Sequence, residues 1–129
     1  MHGIRKLLRR FRLIPELQEP MAAPTTNSME HLAEYFKVFS EPNRLAVLEA
    51  LRQGPLNVTA VVDKTGLSQA LVSKHLKLLT IAGVVQRRPE GSLVYYDVID
   101  RSVFKLIAQA EKLLLAARRQ QLDALAAIL

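Results

Sequence analysis

Along most of the chain, apolar residues recur in short runs of helical spacing, and groups of Gly, Pro, Ser and Asp end one run and open the next. Met29, Leu32, Ala33, Phe36, Val38 and Phe39 predict a first helix with one apolar face. Ser40-Glu41-Pro42 predicts the start of a second, with Ser40 as the cap, Glu41 favoured by the helix dipole and Pro42 in the first turn. Leu45, Val47, Leu48 and Leu51 form its stripe, and Gly54-Pro55 ends it. Leu56-Asn57 leads into a short third helix over 58–65, with Val58, Val61 and Val62 inward. In Thr65-Gly66-Leu67-Ser68, Gly66 supplies the positive φ of a tight turn and Ser68 caps a fourth helix over 69–82. Val72, Leu76 and Leu79 mark one buried stripe on that helix, and Gly83 ends it. Val84–Arg88 and Ser92–Tyr96 read as two strands around Pro89-Glu90-Gly91, a hairpin with a three-residue loop. Asp100 then caps a long last helix carrying Val103, Leu106, Ile107, Ala110, Leu113, Leu114 and Ala117 at three-four spacing.

Upstream of residue 29 the text differs. Ile4, Leu7, Leu8, Phe11 and Ile14 stand at helical spacing with basic residues opposite, Pro15 and Pro20 bound the segment, and PMAAPTTNS reads as a linker. Residues 1–28 are therefore expected to be a basic amphipathic arm, loosely attached, and residues 29–129 a single domain. Such an arm also suits an anionic membrane surface or flanking DNA. The net charge of +6 is shared between the two parts, because the arm holds five cations against two acids. The domain alone is only mildly basic, so charge does not by itself establish a polyanionic partner. The absence of cysteine excludes disulfides and thiolate metal sites. Apolar runs such as Leu113–Ala117 are too short to span a bilayer, and no secretory signal is visible, so no membrane is expected and a cytoplasmic location is.

The order of elements carries more information: helix, helix, short helix, Gly-containing turn, capped helix, hairpin, long helix. The fold class expected is mainly α with a β-hairpin, a winged helix-turn-helix with a two-stranded wing. In that arrangement the fourth helix, 68–82, enters the major groove of double-stranded DNA. Ser68, Gln69, Ala70 and Ser73 offer small polar groups at its start, and Lys74, His75 and Lys77 lie further along it. Arg87 and Arg88 before the hairpin loop and Ser92 after it equip the wing, 84–97, for phosphate or minor-groove contact. Tyr95 and Tyr96 are neighbours in a strand and so face opposite sides. No phosphate loop, nucleophile elbow, paired carboxylates or metal cluster is present, which argues against an enzyme.

The stretch GLSQALVSKHLKLLTIAGVVQRRPEGSLVYYDV resembles the ArsR/SmtB family of bacterial metalloregulatory repressors, and FSEPNRLAVLEAL resembles that family's second-helix entry. The resemblance covers roughly residues 30–117. It implies a homodimer, nucleoid-associated when bound to DNA, with the first and last helices packing across a two-fold axis and two recognition helices reading a palindromic operator. Leu32, Phe36, Val103, Leu106, Ala110 and Leu113 are the residues expected there. It also implies metal sites, from which this chain departs. The positions of one family cysteine pair are Asn57 and Thr59. Of the last-helix ligands only Asp100 matches, the others being Ser102, Leu113 and Ala116. One carboxylate does not make a Zn or Ni site, so Asp100 is expected to be a helix cap, and no metal or cofactor is expected. The inducer is not legible. Two other readings stay open: a winged-helix module that binds protein, and a sequence-indifferent, nucleoid-like DNA binder.

Overall fold

The computed structural model describes residues 26–129, so all but the last three residues of the arm and linker expected over 1–28 lie outside the described residues. The chain divides into two compact units, Met1–Lys37 and Val38–Leu129. In the first, α1 spans Thr26–Val38. It begins within the stretch read as linker, since no Gly or Pro stands between Thr25 and Val38 to break it. Lys37 and Glu34 pair on its exposed side at 2.8 Å.

The second unit contains α2 (Pro42–Ala50), β1 (Leu56–Asn57), α3 (Val58–Thr65), α4 (Gln69–Ile81), β2 (Val85–Glu90), β3 (Leu93–Val98) and α5 (Ser102–Ile128). Glu41, not Ser40, caps α2. Its backbone is extended and its Oε2 accepts the Arg44 N–H at 2.9 Å. Pro42 occupies the first helical position, so the cap falls on the residue immediately before it.

The sheet has three strands in the order β1-β3-β2, all antiparallel. The expected two-stranded wing is present, and Leu56-Asn57, read only as a lead-in to α3, adds a short third strand against Tyr96 and Tyr95. Asn57 does both tasks, since its side chain also caps α3 by accepting the Ala60 N–H at 2.9 Å. The hairpin is tighter than expected. Pro89 and Glu90 belong to β2, paired with Val94 and Leu93, and only Gly91 and Ser92 form the turn. Pro89 is tolerated there because β2 is an edge strand and its missing N–H forfeits no ladder bond at a central position.

The core joins α2, α3, α4 and the base of the hairpin. Val47, Leu48, Leu51, Val61, Val72, Leu76 and Leu79 are fully buried, and Val84, Val85 and Val98 nearly so. Each such side chain contributes about 1.5–3 kcal/mol on leaving water. Only Val103 and Phe104 of α5 enter this core. Around Phe104 the guanidinium of Arg52 lies 4.6 Å from the ring centroid and that of Arg101 5.4 Å. Arg52 is held by Glu49 at 2.6 Å, and Arg101 reaches the Arg52 carbonyl and stands 3.8 Å from Asp97. This cluster fixes the first turn of α5 against the end of α2 and strand β3. Asp100 is not the cap expected of it: Arg101 holds that position with no side-chain cap bond, and Asp100, one residue further out, accepts the Ser102 N–H on Oδ1 at 2.9 Å.

Three carboxyls are thereby held below their ordinary values. Burial pushes Glu41 up, but the Arg44 and Asn43 N–H groups, the charge of His75 when it is protonated, and the Arg44 charge outweigh it. Arg52 lowers Glu49, and the Ser102 backbone and side chain lower Asp100. A carboxyl with a depressed folded value binds fewer protons folded than unfolded. Its stabilisation is therefore present above the ordinary value, 4.5 for Glu41, and lost as pH falls through the folded one. The thermal midpoint should fall as the pH drops below about 4.5, and the fall should be shallower in a Glu41→Gln/Glu49→Gln/Asp100→Asn variant. Calorimetry between neutral pH and pH 3 checks this.

Candidate nucleic-acid interface

The turn between α3 and α4 is locked by local bonds. Gly66 adopts φ 73° and its N–H returns to the Val62 carbonyl at 2.9 Å, closing α3 with a left-handed cap. Thr65 Oγ1 donates to the Val61 carbonyl at 2.7 Å and accepts the Leu67 N–H at 3.2 Å. Ser68 Oγ then accepts the Leu71 N–H at 3.2 Å and starts α4. These bonds leave the polypeptide little choice of direction between the two helices.

α4 packs on α2, α3 and β2 through Val72, Leu76 and Leu79. The opposite side carries Ser68, Gln69, Ala70, Ser73, Lys74 and Lys77, all exposed. Positions 70, 73, 74 and 77 are three and four apart, so they form one continuous surface strip leading from the helix start. The free N–H groups of the first turn point out of the same end. The strip thus combines cations with hydrogen-bonding groups on a helix whose other side is clamped.

In the wing, Arg87, Arg88 and Ser92 are exposed as expected, but the two arginines do not share a face. Arg87 stands opposite Tyr96 and Leu56, and Arg88 opposite Tyr95 and Asn57, so the pairs lie on the two sides of the sheet. Arg87 follows Val85 on the side that enters the core, beyond the point where the core ends. Both tyrosines are half-buried.

Two residues fall elsewhere than the pattern placed them. His75, read with the groove-facing set, is 4% exposed and turned toward α2, its Nε2 lying 3.5 Å from Glu41 Oε2. It stands one residue before Leu76 and three after Val72, on the margin of the buried stripe, and α2 covers that margin. Val103, read as an interface residue, is 7% exposed and belongs to its own protomer's core, because the first turn of α5 is the part that packs inward. Leu32, Phe36, Leu106, Ala110 and Leu113 are exposed. Glu41 was passed over as a site residue, although Pro42 was a usable signal for its capping role. Asp100 and Ser102 sit at the start of α5, and Leu113 and Ala116 on its exposed length. Among the described residues no three His, Cys, Asp or Glu side chains come together as metal ligands.

A short helix, a glycine turn and a capped helix with an exposed polar and basic strip, followed by an arginine-bearing hairpin, define a winged helix-turn-helix DNA-binding domain. Residues 41–87 match the model of the bacterial regulatory protein, arsR family. The chain is 35% identical over 85 residues to the HTH-type transcriptional regulator MJ1325 of Methanocaldococcus jannaschii, covering 65% of this chain and 96% of that protein. It is 31% identical over 91 residues to the regulator NmtR of Mycobacterium tuberculosis, 70% of this chain and 76% of that one. Among solved structures, Rv0081 of M. tuberculosis aligns with a TM-score of 0.68 at 27% identity, over 76% of this chain and 99% of that chain. The homodimeric winged helix-turn-helix DNA-binding domain of Mb0332 from Mycobacterium bovis aligns with a TM-score of 0.61 at 28% identity, over 72% and 89%. The chain belongs to the arsR family, and with it to the DNA-binding transcription regulators rather than to the enzymes.

Ser68 is exposed and its hydroxyl caps the helix start. Ser68→Ala should therefore cost about 0.5–2 kcal/mol of stability, read from urea denaturation, with the fold retained.

Proposed function

We propose that the protein is a homodimeric repressor that binds a palindromic operator, with α4 in the major groove and the wing on the adjacent backbone. The observation that carries this reading is the division of α4 into a clamped apolar side and an exposed strip bearing Ser68, Gln69, Ser73, Lys74 and Lys77. Lysines supply affinity through phosphates, while the amide of Gln69, beside the free N–H groups of the helix start, is suited to a base edge. A two-fold dimer presents two such helices and so matches a sequence with two-fold symmetry. A DNA partner implies action in the cytoplasm, at the nucleoid.

Dimerisation is supported by α5. Its 27 residues extend for about 40 Å, yet nothing beyond Ile107 is even half-buried. Leu106, Ala110, Leu113 and Ala117 continue an apolar stripe along this exposed length, and Leu113 is 64% exposed. An uncovered stripe of that length favours a partner, and a second copy supplies the same stripe. Leu32 and Phe36 offer α1 a comparable face. Metals are not proposed as inducers of this protein. This chain has no cysteine, and the one carboxyl matching a family ligand, Asp100, is engaged with Ser102.

The DNA-binding reading is tested by alanine substitution of Lys74, Lys77, Arg87 and Arg88. Each lost phosphate contact should weaken binding alike for all duplexes and lower the salt slope by about 1, whereas Gln69→Ala should shift sequence preference by about 1–3 kcal/mol. Undiminished affinity in the quadruple variant would overturn it. Sedimentation at micromolar concentration should report about twice the 14.5 kDa of one chain, and Leu106→Asp should shift it toward the monomer. A wild-type monomer at that concentration would refute the dimer.

A further inference from the structure

His75 is withdrawn from the surface that its neighbours Lys74 and Lys77 share, and its surroundings give it a different task. Its ring is 4% exposed, and Nε2 lies 3.5 Å from Glu41 Oε2. The same oxygen accepts the Arg44 N–H at 2.9 Å, so one carboxylate group faces both the first turn of α2 and the middle of α4. The other ring nitrogen, Nδ1, is buried with no partner among the described residues.

A neutral imidazole carries its proton on one nitrogen, and the neighbours decide which. With the proton on Nε2, the donor is the ring nitrogen that lies 3.5 Å from Glu41 Oε2, and Nδ1 keeps only an unused lone pair. With the proton on Nδ1, a buried donor has no acceptor, and the Nε2 lone pair faces an anionic oxygen. Buried orphan donors are much the rarer of the two defects.

We propose that His75 is a positioning residue for DNA recognition: as the Nε2–H tautomer it ties α4 to the carboxylate that caps α2, and so fixes the rotation of the recognition helix. The apolar stripe holds α4 down, but hydrophobic burial is non-directional and resists a small rotation weakly. A helix with its side chains is about 10–12 Å across, so a turn of about 20° displaces a side-chain tip by about 2 Å. That exceeds what a hydrogen bond to a base edge tolerates. Phosphate contacts by flexible lysines survive the same displacement. The role rests on the reading that α4 faces DNA; the tautomer does not.

The experiment has two readouts on the full-length chain. Long-range proton–nitrogen NMR of the free protein should show His75 protonated on Nε2, and Glu41→Gln should abolish that single-tautomer pattern. Affinity is then measured for a duplex selected from a random pool and for a random duplex, in wild type, His75→Gln, Glu41→Gln and the double variant, each checked for native circular dichroism. Each single variant should lower the ratio of selected to random affinity about three- to tenfold, and the double no more than the worse single. Lys77→Ala should weaken both duplexes alike and leave the ratio unchanged. An Nδ1–H tautomer in the wild type, an unchanged ratio in both single variants, or additive losses in the double would each overturn the proposal. Failure to bind any duplex would overturn the reading of α4 and the role with it, and the spectra would then show whether the Nε2–H tie itself exists.

Discussion

The fold depends on one packing constraint, the seating of Val72, Leu76 and Leu79 of α4 against the buried residues of α2 and α3. These side chains have no accessible surface, and neither do Val47, Leu48, Leu51 and Val61 on the facing elements. A helix of 13 residues is marginal in isolation, so α4 owes its existence to that contact. Truncating a leucine in such a cluster leaves a cavity and costs about 2–5 kcal/mol, a large share of the stability of a small domain. The exposed strip of α4 is thus held by the same residues that hold the protein together.

The polar interactions have a complementary task, since burial brings helices together without choosing their direction. Thr65, Gly66 and Ser68 set the angle between α3 and α4, Asn57 joins the start of α3 to the sheet, and Glu41 joins the start of α2 to α4. At the other end, Arg52, Phe104 and Arg101 bind α5 to α2, and Asp97 extends the cluster to the wing strand β3. The wing and the long helix therefore meet at one small aromatic and guanidinium cluster.

Most of this was legible in the sequence because it rests on local signals. Three-four spacing marked the stripe of α4, and Gly66 and Ser68 marked the turn and the cap. What was missed depends on partners distant in sequence. Strand β1 exists only because β3 passes beside Leu56 and Asn57, and two residues carry no periodicity of their own. His75 looked like a neighbour of Lys74, but its environment is set by Glu41, 34 positions earlier, which covers that margin of the helix. Val103 shares its spacing with Leu106 and Ala110, and spacing does not say where a helix leaves its own core. Glu41 was overlooked because the serine before it is the commoner cap, whereas proline at the first helical position decides which residue serves.

Pro89 in β2 has a consequence beyond its place in the hairpin. Past the base of the sheet the wing is a ribbon of two strands, and β2 forms one of its open edges. An extended edge of this kind is a template on which a strand of another molecule could add, and a DNA-binding protein crowded along its target would meet many such molecules. Along this edge the chain reads Arg87, Arg88, Pro89, Glu90. The proline removes a backbone donor midway, and the three charged residues that flank it, Arg87, Arg88 and Glu90, keep this edge hydrated. The exposed ribbon is thus a poor template for its own kind, so the wing extends without offering an adhesive edge.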